Sequence, residues 1–524
     1  MGAFTNHATS GQAIAMIIYF VAMIIIGIYG YTRTNDLDDF MVGGRQLNPM
    51  VAALSAGASD MSGWLLMGLP GALYLTGLVE GWIAVGLTIG AWLNWKITAP
   101  RLRTYSEVAN NSITVPSFMG ARVKDPTKLI RVVAGLIILV FFTFYVSSGM
   151  VSGGTFFEST FHMDYHVGMT LVAGIVILYT LVGGFLAVSF TDVVQGLMML
   201  IALIVVPAVA LGHVGGAGEM VSTLRSEDPA LFSVLGPHGF TAAGFVSIIS
   251  ALAWGLGYFG QPHIIVRFMA LREPSQARAA RRIGIGWMAL SVIGAGFTAL
   301  IGRALTIKGE IPDLTKSTNN AQETIFLVLG QKFFPSFIAG FMLAAILAAI
   351  MSTVSSQLIV SSSAVVEDVY KGVAKKPLTG SQGITLGRVA VLAISVIAAI
   401  LAWFRTDSIL ALVSFAWAGF GASFGPIIIL SLYWKRLSWQ GALAGMITGA
   451  VTVGIWGNLP DGVPLFFQVY EILPGFLLNL LAAWVVSKMT YRPNPEIEAE
   501  FDEAVRLSKI QGRKAAAAEA ARKA

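Results

Sequence analysis

Charged residues and cysteine are what this sequence has least of. Asp, Glu, Lys and Arg make up 12% of the 524 residues, whereas hydrophobic residues make up 56% and the mean hydropathy is +0.74. Soluble domains average about 25% charged residues, so the composition indicates a chain that lies in a bilayer. There are no cysteines, which excludes disulfides, thiolate metal sites and a cysteine nucleophile.

Motifs for nucleotide chemistry are missing as well. No stretch resembles a Walker A phosphate loop, a kinase motif, a His-rich metal cluster or a nucleophile motif. We therefore expect neither enzyme activity nor a nucleotide partner, and any transport would draw on an ion gradient unless a separate subunit supplies the energy. The net charge of +6 could indicate a nucleic-acid partner, but its distribution indicates membrane topology instead.

Long apolar runs are what the sequence has in abundance. About thirteen of them predict an all-α polytopic membrane protein in which residues 1–490 form one transmembrane domain. The first run is longer than a signal-peptide core, so we expect a retained span. The runs, called spans 1 to 13 below, are 13–31, 50–78, 81–98, 129–156, 166–186, 190–212, 242–270, 282–305, 336–366, 385–404, 408–433, 440–458 and 467–488.

Basic residues set the expected orientation. They crowd the loops on one side of the spans, where we place Arg267 among others, and they recur in the tail at 491–524. By the positive-inside rule the amino terminus is outside and the carboxyl terminus cytoplasmic, and an odd number of spans agrees with that. The tail is rich in Ala, Glu, Lys and Arg, so we expect a charged, solvated and partly helical end.

One carboxylate lies where acids are rare. Asp60 falls in the middle of span 2, within the run Ser-Ala-Gly-Ala-Ser-Asp-Met-Ser-Gly-Trp at 55–64. A charge at that depth is costly unless a partner neutralises it. The glycines and small polar residues weaken the helix, and an opened helix offers carbonyl and hydroxyl oxygens to a small hard cation. The sequence therefore predicts a cation site in a broken span 2.

Span 7 is the matching interruption in the second half. Residues 253–263 are Ala-Trp-Gly-Leu-Gly-Tyr-Phe-Gly-Gln-Pro-His. Transporters built from inverted repeats place their sites at paired broken helices, which makes spans 2–6 and 7–11 two candidate five-helix repeats. Close packing through small residues is the plainer explanation. Against it, Pro262 frees a carbonyl, and Trp254 and Tyr258 lie one turn apart and could shape a pocket for a small, partly apolar ligand.

The roles of three further polar residues depend on tertiary contacts that the sequence does not reveal. Ser352 and Thr353 in span 9 bond to their own backbone unless span 9 crosses span 2, where their hydroxyls could help to dehydrate a cation. The phenol of Tyr145 in span 4 needs a partner when buried, and core packing is the favoured alternative to a cavity.

Other polar residues are expected near the membrane interfaces. Asp192 stands near the start of span 6 and Glu80 in a short outer loop, and we expect solvated or paired structural roles for both. In the outer segment 306–335, residues 321–329 predict either a short helix lying on the surface or a plain connector.

Taken together, these segments resemble the sodium/solute symporter family, and within it the branch that carries proline. The run 58–70, from Ala58 to Pro70, is the most specific, and the likeness extends from span 1 through span 13 and fades in the tail. The matching blocks are 43–45, 53–70, 141–145, 183–189, 254–268, 344–357 and 417–426.

The resemblance implies a core of the leucine-transporter type in the bacterial cytoplasmic (inner) membrane, surrounded by lipid, with sodium and L-proline as transported partners. Residues implied for sodium are the backbone oxygens of Ala58, Met61 and Ala349 and the hydroxyls of Ser352 and Thr353, with Asp60 in support. Residues implied for proline are Ser62, Gly63, Trp64, Tyr145, Trp254, Tyr258 and Pro262. Residues that match positions affecting ion coupling in relatives are Arg45 and Asp192.

The expected function is thus import of L-proline with sodium by alternating access. Four alternatives stay open. They are a proton-coupled carrier in which Asp60 holds the proton, a symporter for another small organic solute, a membrane sensor that binds solute without moving it, and, least favoured, a channel.

Overall fold

The computed structural model describes residues 5–32, 43–182, 184–316, 320–374, 378–404, 407–460 and 462–523. Within these ranges the regular structure is helical, and β pairing is limited to an isolated parallel bridge between Leu47 and Leu271. The predicted all-α class is therefore confirmed for the part of the chain described.

Each predicted span coincides with a helix or a pair of helices. Among the described residues, ten helical segments are long and apolar enough to cross a membrane, so the total of thirteen spans stays a prediction. The α-helices are Thr5–Tyr31, Pro49–Asp60, Leu69–Thr76, Gly81–Leu93, Ala99–Val108, Val115–Arg122, Leu129–Phe161, Tyr165–Val182, Phe185–Val214, Ala217–Glu227, Ala242–Ala253, Pro262–Met269, Ala277–Ile307, Ile325–Phe333, Ser336–Ser363, Lys371–Val373, Gly380–Trp403, Ile409–Tyr433, Trp439–Trp456, Ile472–Thr490 and Pro495–Lys523.

Spans 2 and 7 are interrupted near their centres, as predicted. In span 2, a π turn precedes the second helix, Leu69–Thr76. In span 7, the 3-10 segment Trp254–Gly260 joins Ala242–Ala253 to Pro262–Met269. Proline has no amide hydrogen to donate within a helix, and glycines such as those of the 3-10 segment destabilise a helix interior. The interruption therefore follows from the local sequence.

The two broken spans have corresponding neighbours. Span 2 packs against span 6 as span 7 packs against span 11, and span 8 lies against span 2 as span 3 lies against span 7. If spans 2–6 and 7–11 are two equivalent repeats, each of these contacts in one repeat has its counterpart in the other, as observed. Span 1 packs outside the repeats on spans 6 and 9, and spans 12 and 13 pack on each other and on span 11.

Several helices extend beyond the predicted spans. Span 6 occupies Phe185–Val214, so Asp192 lies inside the helix rather than near an interface. Span 3 continues into Ala99–Val108, whose charged residues had ended the apolar run without ending the helix. An unpredicted helix, Val115–Arg122, follows with a capping box at Thr114.

The outer segment 306–335 forms the predicted helix but buries it. The helix, Ile325–Phe333, packs against the second helix of span 2 and against spans 6, 8 and 9. Phe326 and Leu327 are completely buried. The predicted surface position is wrong, because the apolar side chains of this helix gain more from burial between the spans than from water.

The tail docks on the bundle instead of standing in solvent. It is one helix, Pro495–Lys523, and Phe501 and Ala504, which share a face at i and i+3, are buried. The Phe501 ring lies edge-on to Tyr105 at 6.1 Å, and the guanidinium of Arg122 lies 5.1 Å from its centre. The prediction of a solvated tail is thus wrong for this face.

Ion pairs accompany the tail's apolar contact. Lys124 lies 2.9 Å from a carboxylate oxygen of Glu496, and Lys435 lies 2.7 Å from one of Asp502. The hydrogen bond that the Lys435 ammonium donates to Asp502 raises the pKa of Lys435. Exposed pairs of this kind contribute little stability, so they orient the tail helix while Phe501 holds it. The end of the bundle that carries these residues is called the basic end below.

We expect Phe501→Ala to release the tail helix, because removing a buried phenylalanine side chain costs about 2 kcal/mol or more. Trypsin should then cut within the tail at least about tenfold faster, followed by loss of a carboxyl-terminal tag. Ile510→Ala is the matched control, since Ile510 is 38% exposed on the same helix. Equal cleavage rates in the two variants would contradict the docked arrangement.

Candidate functional site

Span 2 opens between its two helices. The first helix ends at Asp60, and Met61 leaves helical geometry with φ −82° and ψ 71°. The π turn that resumes the span begins at Trp64. A Cβ atom on Gly63 would lie 2.5 Å from Oγ of Ser152 in span 4, so the break needs glycine there to approach span 4.

Span 9 brings hydroxyls to the open end of this first helix. Oγ of Ser352 donates to the carbonyl of Ala58 at 2.8 Å, and Oγ1 of Thr353 donates to the same oxygen at 3.3 Å. Oγ of Ser352 also lies 3.1 Å from the carbonyl oxygen of Ala349. Four of the residues predicted for sodium therefore meet in one group, called the oxygen cluster below. Met61 is fully buried beside it, and its carbonyl as a ligand stays a prediction.

The oxygen cluster has the chemistry of a sodium site. Carbonyl and hydroxyl oxygens are the hard ligands that small alkali and alkaline-earth cations prefer, and the carboxyl end of a helix carries partial negative charge. Ser352 and Thr353 are buried, so an ion here would exchange its hydration shell for protein oxygens. Their hydroxyl hydrogens can rotate away and leave both oxygens facing a cation.

Asp60 faces span 7 rather than the oxygen cluster. The hydroxyl of Tyr258 donates to Oδ2 of Asp60, while Oδ1 has no hydrogen-bond partner among the described residues. The backbone carbonyl of Asp60 accepts from the hydroxyl of Tyr145 and from the indole of Trp64, both at 3.3 Å. Asp60 thereby links spans 2, 4 and 7, and its predicted support of sodium would act through this arrangement.

Aromatic rings surround the break in span 2. The ring of Trp254 lies 6.2 Å from that of Trp64, and Tyr258 lies edge-on to Trp417 at 5.1 Å. The indole of Trp417 donates to the carbonyl of Trp254 at 2.8 Å. A Cβ at Gly257 would stand 1.8 Å from Nε1 of Trp417, so glycine is required for span 7 to approach span 11. The result is a buried aromatic wall next to the hydroxyls of the break.

Pro262 stands apart from the other residues predicted for the substrate. It is the first residue of the second helix of span 7 and lines a separate cavity of about 20 Å³ with Val266 and Val360. In the structure Pro262 begins that helix, and its contact with a substrate stays a prediction. The six residues that lie together around the break are Ser62, Gly63, Trp64, Tyr145, Trp254 and Tyr258.

His263 adjoins the site, although no role was predicted for it. Its ring lies edge-on to Tyr145 at 5.9 Å and to Phe142 at 5.4 Å. Neither ring nitrogen has a hydrogen-bond partner among the described residues, and the side chain is completely buried. A single histidine in an apolar run is too weak a signal to single it out.

Arg45 acts at the basic end, away from the oxygen cluster. Its guanidinium donates to Oγ of Ser106 and to the carbonyl of Ser112, both at 2.7 Å, and to the carbonyl of Met269 at 3.1 Å. These bonds join the entrance of span 2 to the ends of spans 3 and 7. Its predicted effect on coupling would therefore act through the packing of those ends.

A buried ion pair joins four spans. Arg267 donates to Oδ2 of Asp192 at 3.3 Å, to Oγ of Ser55 at 3.0 Å and to Oγ of Ser356 at 2.7 Å. Ser55 also donates to Asp192 at 2.7 Å. The predicted positions of Arg267 in a loop and of Asp192 near an interface are both wrong, because each charge compensates the other inside the apolar spans. The paired role predicted for Asp192 is observed, and its part in coupling stays a prediction.

We expect Asp192→Ala to destabilise the protein strongly, because it leaves the Arg267 charge buried without its partner, at a cost of about 3–5 kcal/mol. The thermal midpoint in detergent should fall sharply, and the double variant Asp192→Ala/Arg267→Met should recover part of the loss. Glu219→Ala removes a carboxylate from an exposed pair with Lys308 at 2.9 Å and should change the midpoint little. Equal midpoints for the two single variants would contradict this role of the pair.

Comparison with known proteins assigns the chain to a family. The model of the Sodium:solute symporter family matches residues 40–449, well over half of the chain and all of the site described above. The chain belongs to the sodium:solute symporter family. It is 54% identical to the high-affinity proline transporter PutP of Bacillus subtilis over 487 residues, which cover 92% of this chain and 98% of that protein.

Two further relatives are similar over comparable lengths. The osmoregulated proline transporter OpuE of Bacillus subtilis is 50% identical over 480 residues, covering 92% of this chain and 95% of that protein. A sodium/proline symporter of Staphylococcus aureus is 46% identical over 502 residues, covering 93% and 94%. Family membership makes this symporter a membrane transporter with several spans, not an enzyme.

Solved structures confirm the predicted fold. A Na+-coupled sialic acid symporter in its outward-open state superposes with a TM-score of 0.75 at 20% identity, covering 92% of this chain and 99% of that one. The transporter MhsT in complex with L-phenylalanine superposes with a TM-score of 0.54 at 14% identity, covering 84% and 98%. Both have the leucine-transporter fold, and at such identities the likeness concerns the fold alone.

Proposed function

We propose that this protein is a sodium-coupled symporter that imports L-proline across the cytoplasmic membrane by alternating access. The oxygen cluster carries the proposal, because it lies next to the aromatic wall at the same break in span 2. Sodium coupling is the activity of the family, and the relatives at 46–54% identity are named as proline transporters.

Sodium is proposed to hold span 2 against span 9. The cation would sit among the oxygens of Ala58, Ala349, Ser352 and Thr353, with Met61 as a further ligand. It would thereby replace hydrogen bonds between the two spans with stronger ion contacts and favour the outward-open state. A ligand shifts such an equilibrium only by its differential affinity for the two states, so sodium must bind the outward-open state better.

Proline is proposed to bind on the other side of the same break. The rings of Trp64, Trp254 and Tyr258 offer apolar faces to the pyrrolidine ring, and an aromatic face also attracts a protonated secondary amine. The hydroxyls of Ser62 and Tyr145 would meet its polar groups. Because both ligands use span 2, filling one site would order the backbone that the other needs, which is the proposed basis of coupling.

Uptake of labelled L-proline into proteoliposomes tests this function. Proline should accumulate under an inward sodium gradient, and a panel of unlabelled amino acids, sugars and carboxylates should compete poorly unless they resemble proline. Absence of gradient-dependent accumulation would refute the proposal. Uptake driven by a pH gradient in sodium-free medium would favour the proton-coupled alternative instead.

We expect Ser352→Ala and Thr353→Ala each to raise the sodium concentration needed for half-maximal uptake by about ten-fold or more, since a hydroxyl bond to a charged partner is worth about 1.5–3 kcal/mol. Ser363→Ala is the matched control, because that hydroxyl bonds the carbonyl of Ile359 in the same span. Sodium dependence that changes equally in all three variants would remove the oxygen cluster as the sodium site.

We also propose that the amino terminus is outside and that the basic end, with the 491–524 tail, faces the cytoplasm. The cations at that end, including Lys124 and Lys435, support this through the positive-inside rule. Because the chain has no cysteine, Ser226→Cys and Lys509→Cys each provide one reactive thiol. An impermeant maleimide on intact cells should label Ser226→Cys alone, and the reverse result would invert the topology.

A further inference from the structure

A cavity of about 520 Å³ opens at the end of the bundle opposite the basic end. It lies among the connections that lead into spans 3, 7, 11 and 13, and its walls include Glu80 and Ser250. Trp254 and Tyr470 line it as well. Since Trp254 is also part of the aromatic wall, this cavity is the space from which a solute would approach the break in span 2.

The rings of Trp254 and Tyr470 stack between the cavity and the break. Their centres lie 5.4 Å apart, with the planes inclined at 29°. Trp254 also contacts Trp64 at 6.2 Å and Trp417 at 6.4 Å. Trp64 is 1% exposed and Trp254 is 5% exposed, so the stacked pair closes this route.

Two hydrogen bonds fix Tyr470 over Trp254. Its amide donates to Oγ of Ser250 at the end of the first helix of span 7, at 3.0 Å. Its hydroxyl donates to the carbonyl of Ser414 in span 11 at 2.6 Å. Tyr470 itself lies within the predicted range of span 13, but the helix of that span begins only at Ile472, so Tyr470 stands in the connection before the helix and outside both five-span repeats. One residue thus fastens an added span to a broken span and to the last span of the second repeat.

We propose that Tyr470 is a gating residue, which closes the outer route to the site by stacking on Trp254 and so makes the connection before span 13 part of the transport path. The identity of the solute that passes rests on the proposed function, whereas the closure itself rests on these contacts. An aromatic stack and one neutral hydrogen bond are weak enough to break in each cycle, as a gate must.

The variants follow from the two contacts of Tyr470. Tyr470→Ala removes both the stack and the hydroxyl bond, so it should favour the open outer route. Tyr470→Phe keeps the ring and loses only the bond to Ser414, so it should have an intermediate effect. Phe466→Ala is the matched control, because Phe466 belongs to the same connection, is 69% exposed and packs on Trp456 instead of Trp254. In uptake, Tyr470→Ala should raise the KM for proline more than it lowers kcat.

The decisive measurement uses Ser62→Cys as the single thiol, since Ser62 lies at the break and is 2% exposed. An impermeant maleimide is applied from outside without proline. Tyr470→Ala should raise the labelling rate about three- to tenfold. Tyr470→Phe should raise it less, and Phe466→Ala should leave it unchanged. A second reporter, Ser291→Cys, is buried in span 8, so its labelling would show that a variant is misfolded. If Tyr470→Ala is misfolded by this criterion, the labelling of Tyr470→Phe decides.

Equal labelling of Tyr470→Ala and Phe466→Ala would overturn the gate. This outcome is independent of the proposed function, because the labelling needs no proline. Faster labelling, combined with no proline transport by the protein that keeps Ser62, would keep the gate and reject proline as the solute. Intact proline uptake with unchanged labelling would reject the gate and keep the function.

Discussion

The contact between the Asp60 carboxylate and the Tyr258 hydroxyl is the interaction on which the site depends. A carboxyl group in the middle of a span is costly unless it has a polar partner, and here the hydrogen-bond donor comes from the other broken span. The same residue uses its backbone carbonyl to hold Tyr145 and Trp64. Spans 2, 4 and 7 therefore take their relative positions from one residue, and the oxygen cluster and the aromatic wall lie on either side of it.

Further contacts join the spans on both sides of Asp60 along the axis of the bundle. At the end opposite the basic end, Tyr470 stacks on Trp254, and at the basic end Arg45 joins the entrance of span 2 to the ends of spans 3 and 7. Between them the pair of Arg267 and Asp192 holds spans 2, 6, 7 and 9 together. Each contact involves a broken span, so movement of either broken span must rearrange several of them together. Such linked contacts are what an alternating-access transporter needs, because opening at one end can be coupled to closure at the other.

The sequence predicted those features that local composition determines. The breaks at Asp60 and around Trp254 follow from glycines, proline and small polar residues within one window, and both are observed. The meeting of Ser352 with Ala58 spans 294 positions, and only resemblance to a family could indicate it. Asp192 and Arg267 show the opposite case. Hydropathy placed each charge near water, because a single-residue scale cannot register that two charges 75 positions apart neutralise each other.

The tail shows the same limit. Its charge and low hydropathy indicated a solvated helix, but the single face with Phe501 and Ala504 meets the ring of Tyr105 and the Arg122 guanidinium, neither of which a local window contains. Docking of a polar helix thus depended on its partner surface. The aromatic gate was hidden for a related reason, since Tyr470 lies in a connection outside the repeats and becomes meaningful only beside Trp254.

The central claim is that both ligands act on one broken span, and the reciprocal effect of sodium and proline on each other's affinity tests it most directly. Equilibrium binding of labelled proline should tighten with sodium, and sodium binding should tighten by the same factor with proline. Tyr258→Phe should reduce that factor, whereas Tyr165→Phe, which loses a bond to the carbonyl of Ala402, should leave it unchanged. Proline affinity that is the same with and without sodium in the unaltered protein would contradict the account.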